Sequence, residues 1–185
     1  YIAGSLKGES QKLEQITFFA ADAGIYDADI TDSPYYHVLD ATVVLPWVES
    51  NIESGMRILE VGCGTGRQCK LLASRSDDVV SLDISEEMLR VAFKNLSNEG
   101  LTGAVNLIAA DAERLPFKAQ TFDGGLIVGT LHHVSSPVEA IAQLSYSLRA
   151  GAPFFAYDPH KSLVRFMFDW LMKHWKLYDE EANEE

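Results

Sequence analysis

Arg57-Ile58-Leu59-Glu60-Val61-Gly62-Cys63-Gly64-Thr65-Gly66-Arg67 joins an apolar run to three alternating glycines. Ile58, Leu59 and Val61 predict a buried strand, with Glu60 near its carboxyl end. Gly62, Gly64 and Gly66 then allow a tight turn and the close approach of a ligand to the backbone. The helix expected after the turn begins with unpaired N–H groups that suit a polar or anionic group. Seventeen residues after Gly66, Asp83 ends a second apolar stretch, Val79-Val80-Ser81-Leu82. An acid at that place can take both hydroxyls of a ribose.

Short apolar runs at 57–61, 79–83, 105–109, 122–128 and 153–157 are the candidate strands. Candidate helices are 66–75, 86–98 and 137–149. Ser85 is placed to cap the second helix, with Glu86 and Glu87 in its first turn and Asn98-Glu99-Gly100 as its stop. Pro137 opens the third helix, and Arg149-Ala150-Gly151 closes it. Strands alternating with helices predict a parallel sheet covered on both faces, an α/β, Rossmann-like doubly wound fold with five strands. Before this core, Gln11 to Ala23 has helical character. Thr31-Asp32-Ser33-Pro34 reads as a turn with Pro34 as first helical residue, and Tyr35 to Glu49 as a helix bent or interrupted at Pro46. Residues 1–54 form an expected helical cap, 55–160 the core, and 161–185 a C-terminal helix (Leu163 to Leu177) with an acidic tail from Asp179 to Glu185.

The chain has 185 residues, with 27 acidic against 15 basic side chains and a formal net charge of -12. That length suits one domain. Its charge repels phosphate backbones, which disfavours nucleic acid as the main partner. No apolar run is long enough to span a bilayer. Cys63 and Cys69 fit neither a zinc site nor a disulfide framework, and are read as reduced residues in the cytoplasm.

The glycine spacing is Gly-x-Gly-x-Gly rather than the Gly-x-Gly-x-x-Gly of dinucleotide binders, which opposes a nicotinamide-dependent oxidoreductase. Three further blocks follow in order: Asp83-Ile84-Ser85-Glu86-Glu87-Met88-Leu89, Asp111-Ala112-Glu113-Arg114-Leu115-Pro116-Phe117, and Phe122-Asp123-Gly124-Gly125-Leu126-Ile127-Val128-Gly129-Thr130-Leu131-His132-His133-Val134. Over about residues 37 to 158 the sequence resembles the class I S-adenosylmethionine-dependent methyltransferases, most of all the broad group acting on small molecules. The resemblance implies S-adenosyl-L-methionine as cofactor and transfer of its methyl group to an O, N or C nucleophile of a small molecule. Alternatives carried alongside are a methyltransferase-fold binding module without catalysis and a tRNA methyltransferase. A homo-oligomer is left open.

Matched position by position, the resemblance places Glu60, Gly62 and Gly64 at the methionine end of the cofactor. Gly66 would let helix and strand pack closely, and Asp83 would accept both ribose hydroxyls. Ile84 and Met88 would pack on adenine or ribose, Asp111 would accept from the adenine amino group, and the Ala112 N–H would serve a ring nitrogen. N-terminal helices would lie over the cofactor, so Tyr26, Tyr35 and Tyr36 would orient a substrate or pack on the sulfonium. His132 and His133 follow the fourth strand, where an imidazole can act as base. His132, His133, Asp158 and His160 can be assembled as a metal set on paper. Adjacent histidines on a strand or turn are expected to point apart, so no metal is expected. Related enzymes add an antiparallel strand pair after the fifth strand; only 28 residues follow Tyr157, so that pair is expected to be absent. Leu148-Arg149-Ala150-Gly151-Ala152 departs from the family's Leu-x-Pro-Gly-Gly at the fifth-strand turn.

Overall fold

A computed structural model describes residues 12, 13, 17, 23–30 and 32–158. His160, the expected helix from Leu163 to Leu177 and the acidic tail lie outside the described residues.

Five strands form one parallel sheet: β1 (Arg57–Val61), β2 (Asp78–Asp83), β3 (Val105–Ala109), β4 (Gly124–Val128) and β5 (Phe154–Tyr157). Their order is β3-β2-β1-β4-β5. The chain therefore steps outward from β1 in one direction, returns to its other side at β4, and leaves a switch point between β1 and β4. Ligands bind at the carboxyl edge of such a switch point. Ile58 pairs with Val79 and Gly124, and Val61 with Leu82 and Ile127, so the three central strands end level.

Strand periodicity sorts the side chains into two cores. Ile58, Val79, Val105 and Leu126 pack on one face. They meet Val44, Val48 and Ile52 around α3 (Leu45–Asn51), Cys69 and Leu72 of α4 (Arg67–Ala73), and Leu96 of α5 (Glu86–Asn98). Leu59, Val61, Val80, Leu82 and Ile127 pack on the other face against Phe122, and against Ala140 and Leu144 of α6 (Pro137–Ser147). Each fully buried aliphatic side chain here contributes about 1.5–3 kcal/mol.

Local signals act as their chemistry dictates. The Ser85 hydroxyl accepts from the Met88 N–H at the start of α5, and Ser136 does the same for Glu139 at α6. The described residues of the first expected helix, 12, 13, 17 and 23, are helical, and helical backbone continues over 23–30 (α1). Pro34 opens α2 (Pro34–Leu39) behind Ser33. The expected interruption by Pro46 takes a specific form. Residues Asp40–Val44 make a π-helical turn, with the Leu45 N–H donating to the Asp40 carbonyl. Pro46 has no N–H to donate and its ring crowds the preceding turn; one wider turn upstream relieves this while the helix runs on to Asn51. Gly66 adopts φ 90 at the start of α4, and a Cβ there would lie 3.2 Å from the Ala92 Cβ, so its bareness is what brings α5 against the loop.

Candidate functional site

The loop after β1 folds over the end of β2. The Gly62 and Cys63 N–H groups donate to the Leu82 carbonyl at 2.8 and 2.9 Å. The Gly64 N–H donates to Asp83 Oδ2 at 2.9 Å, and the Ser85 N–H to Oδ1 at 2.9 Å. Two backbone donors thus fix the Asp83 carboxylate and leave lone pairs over for a ligand. Burial nevertheless pushes the Asp83 carboxyl above its ordinary value, with the backbone hydrogen bonds pulling the other way.

Above this loop lies a cavity of about 430 Å³ at the carboxyl edge of the sheet. That is within the roughly 300–1,000 Å³ of small-molecule sites. Gly62, Gly64, Asp83, Ile84, Met88, Asp111, Ala112, His132, His133, Tyr26, Tyr35 and Tyr36 all line it. The strand order lays these residues out in a row: Asp111 and Ala112 beyond β3, Asp83 at β2, the glycine loop at β1, the histidines after β4 and Tyr157 on β5.

Glu60 and Gly66 are not among the lining residues. Glu60 is buried on the α4 side of the sheet, in register with Ser81. Its Oε2 accepts from the Ser81 hydroxyl at 2.6 Å and the Cys69 thiol at 3.0 Å. Burial raises the Glu60 carboxyl and these two donors lower it, with a net upward shift. Strand parity explains the placement: Leu59 and Val61 face α6, so Glu60 must face α4. Both cysteines are free and buried. The Cys63 thiol is pushed well up by its hydrogen bond with Cys69 and by burial, which makes it a poor nucleophile.

Several cavity residues escaped sequence reasoning. The Lys12 Nζ sits 2.6 Å from Asp111 Oδ2 and also pairs with Glu113. Asp111 Oδ1 accepts from the Glu113 N–H at 2.9 Å, the local turn its position allows. Arg67 pairs with Asp40 of the π turn and stacks on the Tyr36 ring, 4.7 Å from its centroid. Arg67 follows the last glycine directly, which is a signal, but its partner lies 27 residues upstream and nothing local announces it. Thr130 Oγ1 lies 3.3 Å from the Val61 and Gly62 carbonyls and 3.2 Å from that of Val128, joining the β1 and β4 ends.

The tyrosines converge. Tyr35 and Tyr36 meet edge to face at 5.2 Å, and the Tyr35 and Tyr157 hydroxyls lie 2.7 Å apart. The Tyr26 phenol is pushed up to about 12 by burial, with Tyr36 adding to it. The two histidines do not point apart as expected. Their rings meet at a tilt with centroids 3.8 Å apart: the alternation of extended chain does not carry over to this turn, where the His133 N–H donates to the Thr130 carbonyl. His132 Nδ1 is 2.9 Å from Asp158 Oδ1. Burial, helped by His132, lowers the His133 imidazole to about 4. Among the described residues no group of three or more His, Cys, Asp or Glu side chains is placed to hold a metal ion. Among them, too, no helix is long and apolar enough to cross a membrane.

Comparison with known proteins gives a consistent result. Residues 59–156 match the family model described as a methyltransferase domain. The ubiquinone/menaquinone biosynthesis C-methyltransferase UbiE of Pseudomonas paraeruginosa is 35% identical over 126 residues, which cover 65% of this chain and 49% of the relative. The chain thus spans about half the length of the curated relatives it matches. Among solved structures, an S-adenosylmethionine-dependent methyltransferase from Aquifex aeolicus aligns with TM-score 0.55 at 22% identity, covering 66% of both chains. The YcgJ protein of Bacillus subtilis aligns with TM-score 0.60 at 21% identity, covering 72% of this chain and 57% of its own. At these identities the structural likeness speaks for the fold.

Proposed function

Because the chain belongs to the methyltransferase domain family, we propose that it binds S-adenosylmethionine in the 430 Å³ cavity and transfers the methyl group to a nucleophile of a small molecule. The observation that carries this reading is the row of subsites along the sheet edge. The residues present fit the cofactor's chemistry. Asp83 offers a half-buried carboxylate to a diol, and Ile84, Met88 and Ala112 offer apolar surface to a base. Asp111 offers a carboxylate to an exocyclic amine once Lys12 shares it. Gly64, where an added Cβ would meet only Tyr26 at 4.0 Å, leaves the loop bare for the methionine portion, while Gly62 makes room for Thr130 behind it. Glu60, behind that loop, would act on it indirectly, through α4 and Ser81.

When bound, the sulfonium supplies a methyl group on a neutral leaving group, so the protein has mainly to align and desolvate two partners. Asp83 and the glycine loop hold one partner from below. Tyr26, Tyr35 and Tyr36 cover the cavity from the N-terminal side and hold the other. The relative's printed activity, C-methylation in quinone biosynthesis, favours a carbon acceptor on a small molecule. The acidic surface argues against a nucleic acid acceptor. The same reading places the protein in the cytoplasm, which suits two free thiols.

Calorimetric titration with S-adenosylmethionine and S-adenosylhomocysteine, with NAD beside them, tests the reading. Micromolar binding of both adenosyl ligands without binding of NAD is expected. A folded chain that binds neither would overturn it.

A further inference from the structure

The ends of β4 and β5, with Tyr35 of α2, bring together an imidazole, a carboxylate and two phenols. β4 and β5 run in parallel with Val128 beside Tyr157, and the Gly129 N–H donates to the Tyr157 carbonyl at 2.8 Å. The chain then turns through Thr130–His133, which sets His132 against the residue that follows β5, Asp158. His132, Tyr35 and Tyr157 line the cavity; Asp158 is not among its lining residues and meets His132 at Nδ1.

From this geometry we infer that His132, oriented by Asp158, takes a proton from the methyl acceptor, and that the acceptor is an uncharged phenol or enol whose hydroxyl is held by the Tyr35–Tyr157 hydroxyl pair. The inference rests on the methyl-transfer reading above.

The hydrogen-bond logic selects the roles. With Nδ1–H donating to the Asp158 carboxylate, the ring's lone pair is on Nε2, and the carboxylate neutralises the charge the ring gains on protonation. The ring meets Asp158 and His133, and Tyr35 and Tyr157 line the same cavity. Because burial keeps His133 neutral down to about pH 4, its adjoining ring brings no second positive charge beside a protonated His132. The acceptor class follows from what a base is for. A carboxylate acceptor arrives ionised and needs none. An amine arrives as a cation and would share the cavity with Arg67, Lys12 and the sulfonium. A phenol or enol is the nucleophile that arrives neutral and gains most from losing a proton. The paired tyrosine hydroxyls can each donate or accept towards such a group.

In the step, Nε2 accepts the hydroxyl proton. The freed electron pair, on oxygen or relayed to the conjugated carbon, forms the new bond to the methyl carbon. The sulfur–methyl bond breaks and its pair stays on sulfur. For attack by carbon, the hydrogen on that carbon leaves as a proton and oxygen is reprotonated. Either way the products are the methylated acceptor, S-adenosylhomocysteine and one proton.

The test uses the full chain saturated with S-adenosylhomocysteine and 4-nitrophenol as probe, since its phenolate is coloured. Difference spectra are taken at a mildly acidic pH, below the free phenol's own midpoint. Wild type is expected to bind the probe largely as phenolate. His132→Gln is expected to lower the phenolate-to-phenol ratio about tenfold while S-adenosylhomocysteine binding is unchanged. Asp158→Asn is expected to lower it as well, because its amide donates to Nδ1 and puts the hydrogen on Nε2; Asp158→Glu should restore part of the signal. A probe that stays a bound phenol in wild type, or does not bind beside a bound adenosyl ligand, overturns the inference, as does undiminished phenolate in His132→Gln. Failure of wild type to bind S-adenosylhomocysteine instead overturns the methyl-transfer reading beneath it.

Discussion

Replacing Gly62 by Ala should unfasten the β1 end from the β4 end. Gly62 has φ 76, and an added Cβ would lie 2.1 Å from Thr130 Oγ1, 2.4 Å from its Cγ2 and 2.8 Å from its Cβ. Two costs combine. The left-handed backbone penalises a side chain by about 1–2 kcal/mol. Forcing a methyl group into occupied space costs about 1–3 kcal/mol more. Thr130 cannot rotate clear, because its Cβ itself is too close and its hydroxyl sits among three carbonyls. The total of about 2–5 kcal/mol is a large share of a typical domain stability of about 5–15 kcal/mol. Urea unfolding, extrapolated linearly, measures it. Thr130→Gly in the same chain removes the collision and leaves the backbone cost. The double variant should therefore be about 1–3 kcal/mol more stable than the sum of the single changes allows. Stability of Gly62→Ala within about 0.5 kcal/mol of wild type, or strict additivity with Thr130→Gly, would refute the packing argument.

Further outcomes follow from Asp83, Glu60 and His133. Asp83→Ala should weaken S-adenosylmethionine binding tenfold or more in calorimetry, on the order of 1.5–3 kcal/mol for a hydrogen bond to a charged group. The bound carboxylate must be ionised and its folded value is raised, so wild-type affinity should fall as pH drops through that raised value. Glu60 is raised too, so the folded protein holds a proton that the unfolded chain releases, and Glu60 costs stability as pH rises from 4.5 through its folded value. Glu60→Gln keeps an acceptor for Ser81 and Cys69 and should flatten that part of the stability–pH curve; an unchanged slope would count against the burial argument. His133 behaves in the opposite sense. Its folded value of about 4 lies below the ordinary 6.5, so stability should be lost as pH falls from 6.5 towards 4, and a ring-proton NMR titration should give a midpoint near 4.

The fold was readable because its signals are local. The five apolar runs became strands within two residues of their expected limits, and Ser85, Gly66 and Pro34 sit where their backbone chemistry puts them. The glycine-loop side of the cavity was readable for the same reason: Gly62, Gly64, Asp83, Ile84 and Met88 are ordered by two consecutive strand-to-helix turns. Glu60 shows the limit. Its position beside the glycines suggested a cavity role, while the alternation of the strand turned it to α4.

Apolar period, glycine and proline act over a few residues, so the order of side chains along the chain sets which segments are strands, which are helices and where the chain turns. Which distant groups meet depends instead on how the elements pack together. Tyr35 reaches Tyr157 across 122 residues, Arg67 pairs with Asp40 across 27, and Asp158 meets His132 because β5 lies beside β4. No period or spacing encodes such pairs. They follow from the order in which five similar strands lie side by side, and that order is set by the packing of both faces of the sheet at once.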